Sequence, residues 1–362
     1  MPCPPGERTR PWSAAATGRG RTTVPARRPR CSPGPAAWST PRCGARPRPC
    51  RTRRAASPRS TSAGGTSGDV PPRGAGGGKA IRPAFTLLAA EAAGGTAPAA
   101  LPAAVAVELA HNFSLLHDDV MDGDRTRRHR PTAWTVFGAN AAILAGDGML
   151  AAAFERLADE RSAGVAVGVG VLGRAVVELV EGQSADLAFE RRSDVTLDEC
   201  LAMAGRKTGA LLGAACALGA VSAGAGAART ARLRAFGERL GLAFQLVDDL
   251  LGIWGEPAVT GKAAQADLRA RKKSLPVVAA LTSATPAGEE LAGLYLRDEP
   301  LTGEEAARAA ELVEAAGARA WAAARAEALL GEALDELAAA APAQPAAAEL
   351  RALARFVTRR DH

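Results

Sequence analysis

Aromatic residues are scarce in this chain of 362 amino acids. Phe, Trp and Tyr together make up 4% of it, although hydrophobic residues as a whole make up 47%. Ala dominates after residue 80, and Ala has the highest intrinsic helix propensity of all residues. No stretch shows the alternation of polar and apolar residues that is typical of a half-buried strand. The composition therefore predicts an all-α protein.

Cysteine is also sparse, and its placement argues against both disulfides and a zinc site. Four of the six cysteines lie within the first 50 residues, at spacings that match no metal-ligand pattern. Cys200 and Cys216 lie in apolar helical segments, where we expect ordinary buried thiols. No apolar run reaches membrane-spanning length without a charge or a helix break. These absences favour a soluble protein of the reducing cytoplasm.

Lysine is missing from the first 70 residues, which contain 14 arginines and only two acids, Glu7 and Asp69. This segment carries a charge of +12, so the formal net charge of +7 leaves −5 for residues 71–362. The basic charge is thus confined to a tail, and no folded nucleic-acid recognition motif accompanies it. We therefore expect no nucleic-acid partner.

Residues 1–73 are rich in Arg, Pro, Ser and Gly and show no helical or strand period. Three interpretations stay open for this segment. It is a disordered tail, a mis-assigned start in a GC-rich gene, or an Arg-rich transit peptide, which the many prolines disfavour. The folded domain is predicted to cover residues 74–362.

Turn-forming residues divide this domain into helical segments, for example at Gly94-Gly95. The predicted helices cover residues 82–93, 100–121, 132–157, 163–190, 196–220, 227–252, 274–283, 303–315, 317–340 and 346–358. We expect them to form a bundle around a large central cavity.

Three aspartates end the second predicted helix, in the stretch LLHDDVMDGDRTRRHRPT. This first aspartate cluster consists of Asp118, Asp119 and Asp122. The polar residues before it step by three or four, which places Glu108, His111, Asp118 and Asp122 on one helix face. Buried carboxylates are costly unless a cation compensates them. Asp118 and Asp122 lie one turn apart and can ligate the same ion, and oxygen ligands suit Mg²⁺ rather than Zn²⁺. The alternative is a solvated acidic helix end.

A second aspartate cluster, Asp248 and Asp249, lies 130 residues further along, in FQLVDDLLGIWG. Leucines flank the pair, which is hard to reconcile with a surface position, and Gln245 lies one turn before it. The basic residues Lys262 and Lys272 follow, and they would balance the charge around a bound diphosphate. The alternative for this basic run is a charged surface loop.

Further basic residues predict anion sites. Gly78-Lys79-Ala-Ile-Arg82 resembles a phosphate cradle, although the P-loop spacing is absent. Arg127 and Arg128 follow the first aspartate cluster and form a second candidate. Other polar residues in apolar helical segments are Gln183, Asp186, Lys207 and Thr208. No nucleophile–base arrangement such as Ser–His–Asp is apparent.

Five motifs occur in one order: GKAIRP, HDDVMD followed by RRHRPT, EGQSADL, GRKTGALL, and FQLVDDLLGIWGEPAVTGK with RKKSLP. Over residues 74–360 they resemble the trans-isoprenyl diphosphate synthase (polyprenyl synthetase) family, and within it the actinobacterial geranylgeranyl diphosphate synthases. The resemblance implies an isoprenoid-synthase-like helical bundle, a homodimer, and head-to-tail condensation of isopentenyl diphosphate with allylic diphosphates (dimethylallyl, geranyl or farnesyl). It further implies three Mg²⁺ ions per active site and no membrane span.

The same resemblance implies roles for individual residues. The Mg²⁺ ligands would be Asp118, Asp119, Asp122, Asp248 and Asp249. Isopentenyl diphosphate would be bound by Lys79, Arg82, His111 and Arg128. The allylic diphosphate would be contacted by Arg127, Lys207 and Lys262, with Gln183 and Lys272 as further substrate-binding residues. Lys207, Thr208 and Gln245 would lie near the developing cation and are the candidate catalytic residues.

Three departures from the family pattern bear on these roles. Gly252 stands where many members carry a third Asp of the second cluster, so we expect Asp119→Ala to be more damaging than any change at 248–252. His129 replaces a common Gly in a loop. The family usually has one or two helices before the GK motif, and residues 1–70 supply none.

Product length is expected to depend on Phe113 and Ser114, five and four residues before Asp118. A large residue beside a small one, one turn below the carboxylates, resembles the pattern for a C20 product, whereas Phe113 as plain core packing is the alternative. The rival functions are a C15 farnesyl diphosphate synthase and a catalytically impaired partner subunit. A terpene cyclase would not need Lys79 and Arg82.

Overall fold

The computed structural model describes residues 80–128, 130–158, 164–256, 265–297 and 301–359. The predicted tail at 1–73 lies outside these residues, and so do Lys79, His129 and Lys262. Within the described ranges the chain is almost entirely helical, which confirms the predicted all-α class.

Helices account for nearly all of the described structure. In chain order they are α1 (Ile81–Ala92), α2 (Ala97–Met121), α3 (Ala133–Phe137), α4 (Ala139–Ala158), α5 (Val165–Phe189), α6 (Leu197–Ala204), α7 (Ala210–Ser222), α8 (Ala227–Trp254), α9 (Ala266–Arg269), α10 (Leu275–Leu281), α11 (Pro286–Tyr295), α12 (Gly303–Ala315), α13 (Ala318–Ala339) and α14 (Ala346–Thr358). A π-helical turn, Gly205–Gly209, joins α6 to α7, and two short strands, β1 (Thr126–Arg127) and β2 (Arg130–Pro131), follow α2.

Local signals explain where several helices begin. Thr302 caps α12 by accepting a hydrogen bond from the backbone N–H of Glu305, whose carboxylate accepts one from the Thr302 N–H in return. Thr196 and Glu199 repeat this arrangement at α6. Such reciprocal capping satisfies N–H groups that the first helical turn leaves unpaired.

The helix predicted at 132–157 is two helices. Gly138 has a φ of 89°, a left-handed conformation that Gly adopts without steric cost, and the chain changes direction there between α3 and α4. The helix predicted at 196–220 is likewise interrupted by the π-helical turn. The short helices α9 and α11 and the β1–β2 hairpin were not predicted.

α7 is the central element, since every residue from Ala210 to Ala220 is buried. A helix that is buried on all sides needs small residues wherever another backbone approaches it closely. A Cβ at Gly219 would overlap Thr86 of α1, and one at Gly237 of α8 would lie 2.8 Å from the Gly213 Cα. These glycines let α1, α7 and α8 pack at short range.

α2 passes along this core and ends at the first aspartate cluster. It is long and apolar enough to cross a membrane by length and composition alone, with a mean hydropathy of 1.4, although Glu108 lies within it. A core helix of a soluble protein satisfies the same criterion, so this finding is weak evidence. α8 carries the second aspartate cluster near its own C-terminal end.

Candidate active site

The three aspartates of the first cluster divide into two groups. Asp118 and Asp122 lie one turn apart at the end of α2, and the Asp122 N–H donates to the Asp118 carbonyl oxygen (2.8 Å). Asp119 is 5% exposed and accepts a hydrogen bond of 2.7 Å from Arg127 Nε. Adjacent residues of a helix point about 100° apart, so Asp119 leaves the face that Asp118 and Asp122 share.

The β1–β2 hairpin positions Arg127. Arg128, which follows β1, has a φ of 51°. Thr132 Oγ1 and Trp134 Nε1 each donate to the Asp124 carbonyl oxygen, both at 2.7 Å, and these bonds hold the loop against the end of α2. Arg127 and Asp119 therefore connect the loop to the helix.

A second group of basic residues surrounds His111 on α2. Arg82 Nη1 lies 3.1 Å from His111 Nε2, and because a guanidinium can only donate, Nε2 is the acceptor and the imidazole proton lies on Nδ1. Burial, together with the charges of Arg82, Arg128 and Arg127, lowers the pKa of His111 to about 3. We call Arg82, Arg127 and Arg128 the arginine cluster; it faces a neutral histidine.

The arginine cluster has unsatisfied donors. Arg82 Nε is buried and has no hydrogen-bond partner among the described residues. Burial also lowers the Arg82 pKa to about 10, with Glu108 opposing that shift. A buried guanidinium group without a full set of partners favours an anionic ligand.

The free carboxylates of the first cluster face a lysine. Burial raises the pKa of Asp118 to about 6; Lys207 lowers it and the neighbouring Asp122 raises it. Burial likewise raises the Asp122 pKa, against the charge of Lys207. The Lys207 Nζ forms an ion pair of 2.6 Å with Asp186 of α5. Lys207 thus acts on three carboxylates, Asp118, Asp122 and Asp186.

The position of Lys207 depends on the π-helical turn. A Cβ at Gly182 of α5 would lie 2.5 Å from the Lys207 backbone nitrogen, so only glycine allows the turn to approach α5 this closely. Turns of this kind occur often at functional sites. The contact explains why EGQSADL and GRKTGALL lie side by side in the fold.

The second aspartate cluster is joined to this turn by a chain of hydrogen bonds. Thr208 Oγ1 donates to Gln245 Oε1 (2.7 Å), and Gln245 Nε2 donates to Asp249 Oδ1 (2.8 Å). Asp249 Oδ2 accepts from the Leu275 N–H at 2.9 Å. Asp249 is 3% exposed, whereas its neighbour Asp248 is exposed. Each cluster therefore contains one buried, hydrogen-bonded aspartate (Asp119 or Asp249) next to a more exposed one (Asp118 or Asp248).

Lys272 interacts electrostatically with aspartates of both clusters. Its burial lowers its pKa, but the surrounding carboxylates outweigh that effect and raise the pKa above the ordinary value. Those carboxylates are Asp249, Asp267, Asp186 and Asp248. The Asp122 pKa also responds to Lys272. Aspartates 130 positions apart in the sequence thus act on the same lysine.

Asp267 is a buried acid (8% exposed) whose role the sequence did not reveal. Its carboxylate lies against the Cα of Gly252: a Cβ there would overlap Oδ2 and lie 2.6 Å from Cγ. Only glycine at 252 leaves room for this carboxylate. Asp267 therefore places a carboxylate in the space that a side chain at residue 252 would occupy.

Gln183 on α5 is 4% exposed, and neither its side-chain nitrogen nor its oxygen has a partner in the described part of the chain. A buried amide without hydrogen bonds is costly, so it favours a ligand at this position. Asp186, one turn further along α5, supports Lys207. The three-residue spacing of the two was the only signal of their shared face.

The carboxylates fit a metal bound together with a ligand, rather than a complete protein cage. Within the ranges that the structure describes, no three His, Cys, Asp or Glu side chains group closely enough to hold a metal ion. Mg²⁺ typically takes one or two carboxylates and completes its shell with water and substrate phosphates. Asp118 and Asp122, which offer two carboxylates one turn apart, meet that requirement.

The described chain is a helical bundle in which acidic and basic groups face one space. A family model described as polyprenyl synthetase matches residues 74–313. The chain belongs to that family, whose members are prenyltransferases.

Known relatives differ in the product that their names state. A (2E,6E)-farnesyl diphosphate synthase of Mycobacterium tuberculosis is 49% identical over 288 residues, covering 78% of this chain and 80% of the relative. A geranylgeranyl diphosphate synthase of the same species is 50% identical over 241 residues, covering 66% and 69%. These relatives agree on the family, and their names give products of two different chain lengths.

Solved structures agree on the fold. A polyprenyl synthetase from Streptomyces coelicolor superposes with a TM-score of 0.75 at 46% identity, over 78% of this chain and 85% of the other. A geranylgeranyl pyrophosphate synthase from Corynebacterium glutamicum, complexed with isoprenyl diphosphate and magnesium, has a TM-score of 0.73 at 30% identity, over 79% and 87%.

Proposed function

We propose that this protein is a Mg²⁺-dependent prenyltransferase that condenses isopentenyl diphosphate head-to-tail with allylic diphosphates, up to geranylgeranyl diphosphate (C20). The observation that carries the proposal is the arginine cluster around a neutral His111, next to two aspartate clusters that share Lys272. Two diphosphates and divalent cations would satisfy these groups together.

The basic residues divide between two diphosphate sites. Arg82 and Arg128, beside His111, would bind isopentenyl diphosphate, with Lys79 from outside the described residues. Lys207 and Lys272 would face the allylic diphosphate, because both lie among the carboxylates; Lys262 is assigned there by family resemblance alone. Arg127 already forms an ion pair with Asp119. It would therefore contribute to diphosphate binding through its fixed positive charge as well as through direct contact.

The five metal-binding aspartates predicted from the sequence take two roles in this proposal. Asp118, Asp122 and Asp248 would hold Mg²⁺, which when bound supplies charge neutralisation for the departing diphosphate. Asp119 and Asp249 would position the site through Arg127 and Gln245, because their oxygens already accept hydrogen bonds from protein groups.

Other side chains would protect and orient the allylic group. Thr208 and Gln245 are held in one hydrogen-bond chain and present fixed dipoles beside Lys207. Fixed dipoles that need no reorganisation stabilise developing charge efficiently. The side-chain amide of Gln183 would form hydrogen bonds with the bound substrate. The apolar helices exclude water, which would quench a cation.

The Gly182→Ala substitution tests how the π-helical turn positions Lys207. The added methyl group meets the Lys207 backbone, which must shift. We expect kcat/KM to fall by about 10–100-fold, because displacements of about 1 Å at a catalytic group have such effects. Gly173→Ala on the same helix meets only a ring carbon at 3.9 Å and should retain wild-type kinetics. If the two substitutions lowered kcat/KM equally, the close contact of Gly182 with Lys207 would not be what positions the lysine.

Phe113 is proposed to limit the product at C20. It is 5% exposed and packs in the main core, and Ser114 Oγ donates to the His111 carbonyl oxygen (2.8 Å). The Phe113→Ala substitution removes a ring from the expected floor of the cavity. We expect products longer than C20 when extension products are sized by chromatography. An unchanged product length would leave Phe113 as ordinary core packing.

A farnesyl diphosphate (C15) synthase is the second candidate, supported by the relative that is 49% identical. The test is incubation with Mg²⁺, radiolabelled isopentenyl diphosphate and each allylic primer, followed by sizing of the products. C20 from every primer supports the proposal, and C15 as the end product supports the alternative. No elongation with any primer would favour an impaired partner subunit.

Dimerisation is also proposed, from an exposed apolar surface on α3, α4 and α5. Phe137 and Leu144 are 73% and 70% exposed, and Val136, Val177 and Val180 are each more than half exposed. Apolar patches of this kind mark interfaces, and a second copy of the chain would cover them. Light scattering should show a dimer that Leu144→Glu converts to monomer. A wild-type monomer would contradict the proposal.

A further inference from the structure

His117 lies on α2 between Phe113 and Asp118, with its imidazole pressed against α4. A Cβ at Gly146 of α4 would overlap His117 Nε2 and lie 2.5 Å from Cδ2. The ring therefore occupies the space that any other residue at 146 would fill.

A hydrogen bond to α4 fixes the ring. His117 Nε2 lies 3.0 Å from the Ile143 carbonyl oxygen, which can only accept, so Nε2 carries the proton. The Asp147 carboxylate is 3.7 Å from the same nitrogen and is mostly exposed, so it is the weaker contact. The tautomer and the orientation of the ring are both set by α4.

The other side of the ring supports Phe113. The two rings meet edge-to-face, with centroids 5.4 Å apart and an interplanar angle of 85°. Positions four residues apart share a helix face, so Phe113 and His117 form one column. Phe113 therefore packs against a His117 ring that is itself fixed by its hydrogen bond to α4.

We propose that His117, fitted against Gly146, is a specificity-determining positioning residue that holds Phe113 and so fixes the product length. The inference rests on the proposed function, because it concerns the chain-length role assigned there to Phe113. The depth of the cavity is then set by the spacing of α2 and α4 and by Phe113 together.

The His117→Ala substitution tests this inference in the full-length chain. The phenyl ring loses its edge-to-face partner and can turn away from the cavity. We expect the ratio of longer products to the wild-type product to rise about fivefold, which corresponds to the usual strength of such an aromatic contact. Combining it with Phe113→Ala should add nothing to Phe113→Ala alone, because the two residues act as a unit.

The Gly146→Ala substitution displaces the same ring from α4 and leaves the sequence of α2 unchanged. The imidazole must leave its place, so it loses its bond to Ile143, and the product ratio should move in the same direction. Gly148→Ala, two residues along α4 in open space, is the matched control and should keep the wild-type ratio.

The outcomes separate this inference from the proposed function. If the wild-type chain elongates no primer, both are wrong. If it elongates primers but Gly146→Ala keeps the wild-type product ratio, the inference alone is wrong, even if His117→Ala fails to fold. A change of ratio in Gly148→Ala equal to that in Gly146→Ala would also overturn it.

Discussion

The Asp118→Ala substitution should lower kcat/KM by about 10²–10³-fold, a loss of the size seen when a group that stabilises transition-state charge is removed. Asp118 combines a half-buried carboxylate, a pKa raised to about 6 chiefly by burial, and a position one turn from Asp122. The variant should also need a higher Mg²⁺ concentration for half-maximal rate, because one of the two proposed oxygen ligands is removed. Steady-state kinetics over a Mg²⁺ titration measure both effects.

Asp124→Asn is the matched control for this substitution. Asp124 follows the same cluster, its side chain is 54% exposed, and its closest ionic contact is 3.9 Å from Arg127. The backbone carbonyl that holds Thr132 and Trp134 is retained. We expect less than about a threefold change, in line with exposed ion pairs. Similar losses for the two variants would show that general negative charge matters, rather than the position of Asp118.

Most helices could be predicted from local patterns, because their ends carry chemical signals. The segments 303–315 and 346–358 were predicted with the bounds that α12 and α14 have. The π-helical turn could not be predicted, since its cause is the missing Cβ of Gly182 in another helix. The β1–β2 hairpin has two-residue strands, which are too short to show an alternating pattern.

The sequence proposes which residues form the candidate site more readily than how they are arranged. Helical spacing correctly joined Asp118 to Asp122 on one face. The same periodicity places Asp119 on another side, but its partner Arg127 is brought there by a hairpin with no sequence signature. The roles of the individual residues remain predictions.

The expected ranking, in which Asp119→Ala is more damaging than changes at 248–252, rested on a second cluster short of one acid. The structure changes that premise, because Asp267 occupies the space beside Gly252. Asp249 also connects Thr208 and Gln245 to the Leu275 backbone. We now expect Asp249→Ala and Asp119→Ala to cause comparable losses.

The Gly252→Asp substitution should therefore damage the protein, although it restores the family's third aspartate. The new Cβ overlaps the Asp267 carboxylate, and a further carboxylate enters a region where burial already raises the Asp249 pKa to about 6. Overpacking and unpaired like charge together should lower the free energy of unfolding by about 2–4 kcal/mol. Urea denaturation measures the loss as a shift of the midpoint.

Two further variants separate crowding from other effects. Gly331→Asp places the same residue on an exposed face of α13, where a Cβ meets nothing within 4 Å, and its stability should stay within about 0.5 kcal/mol of wild type. The double variant Gly252→Asp/Asp267→Ala moves the carboxylate from one position to the other. It should recover most of the stability, because the overlap is gone and the acid is kept.

Activity of the double variant decides what the carboxylate does. If a carboxylate in this region is enough to balance Lys272, whose pKa several surrounding acids raise, kcat/KM should recover along with stability. If stability recovers and activity does not, the carboxylate must be at residue 267 of α9 for activity. The two positions would then be equivalent only for packing. A Gly252→Asp single variant with wild-type stability would contradict the close contact itself, since no carboxylate can share that space with a new side chain.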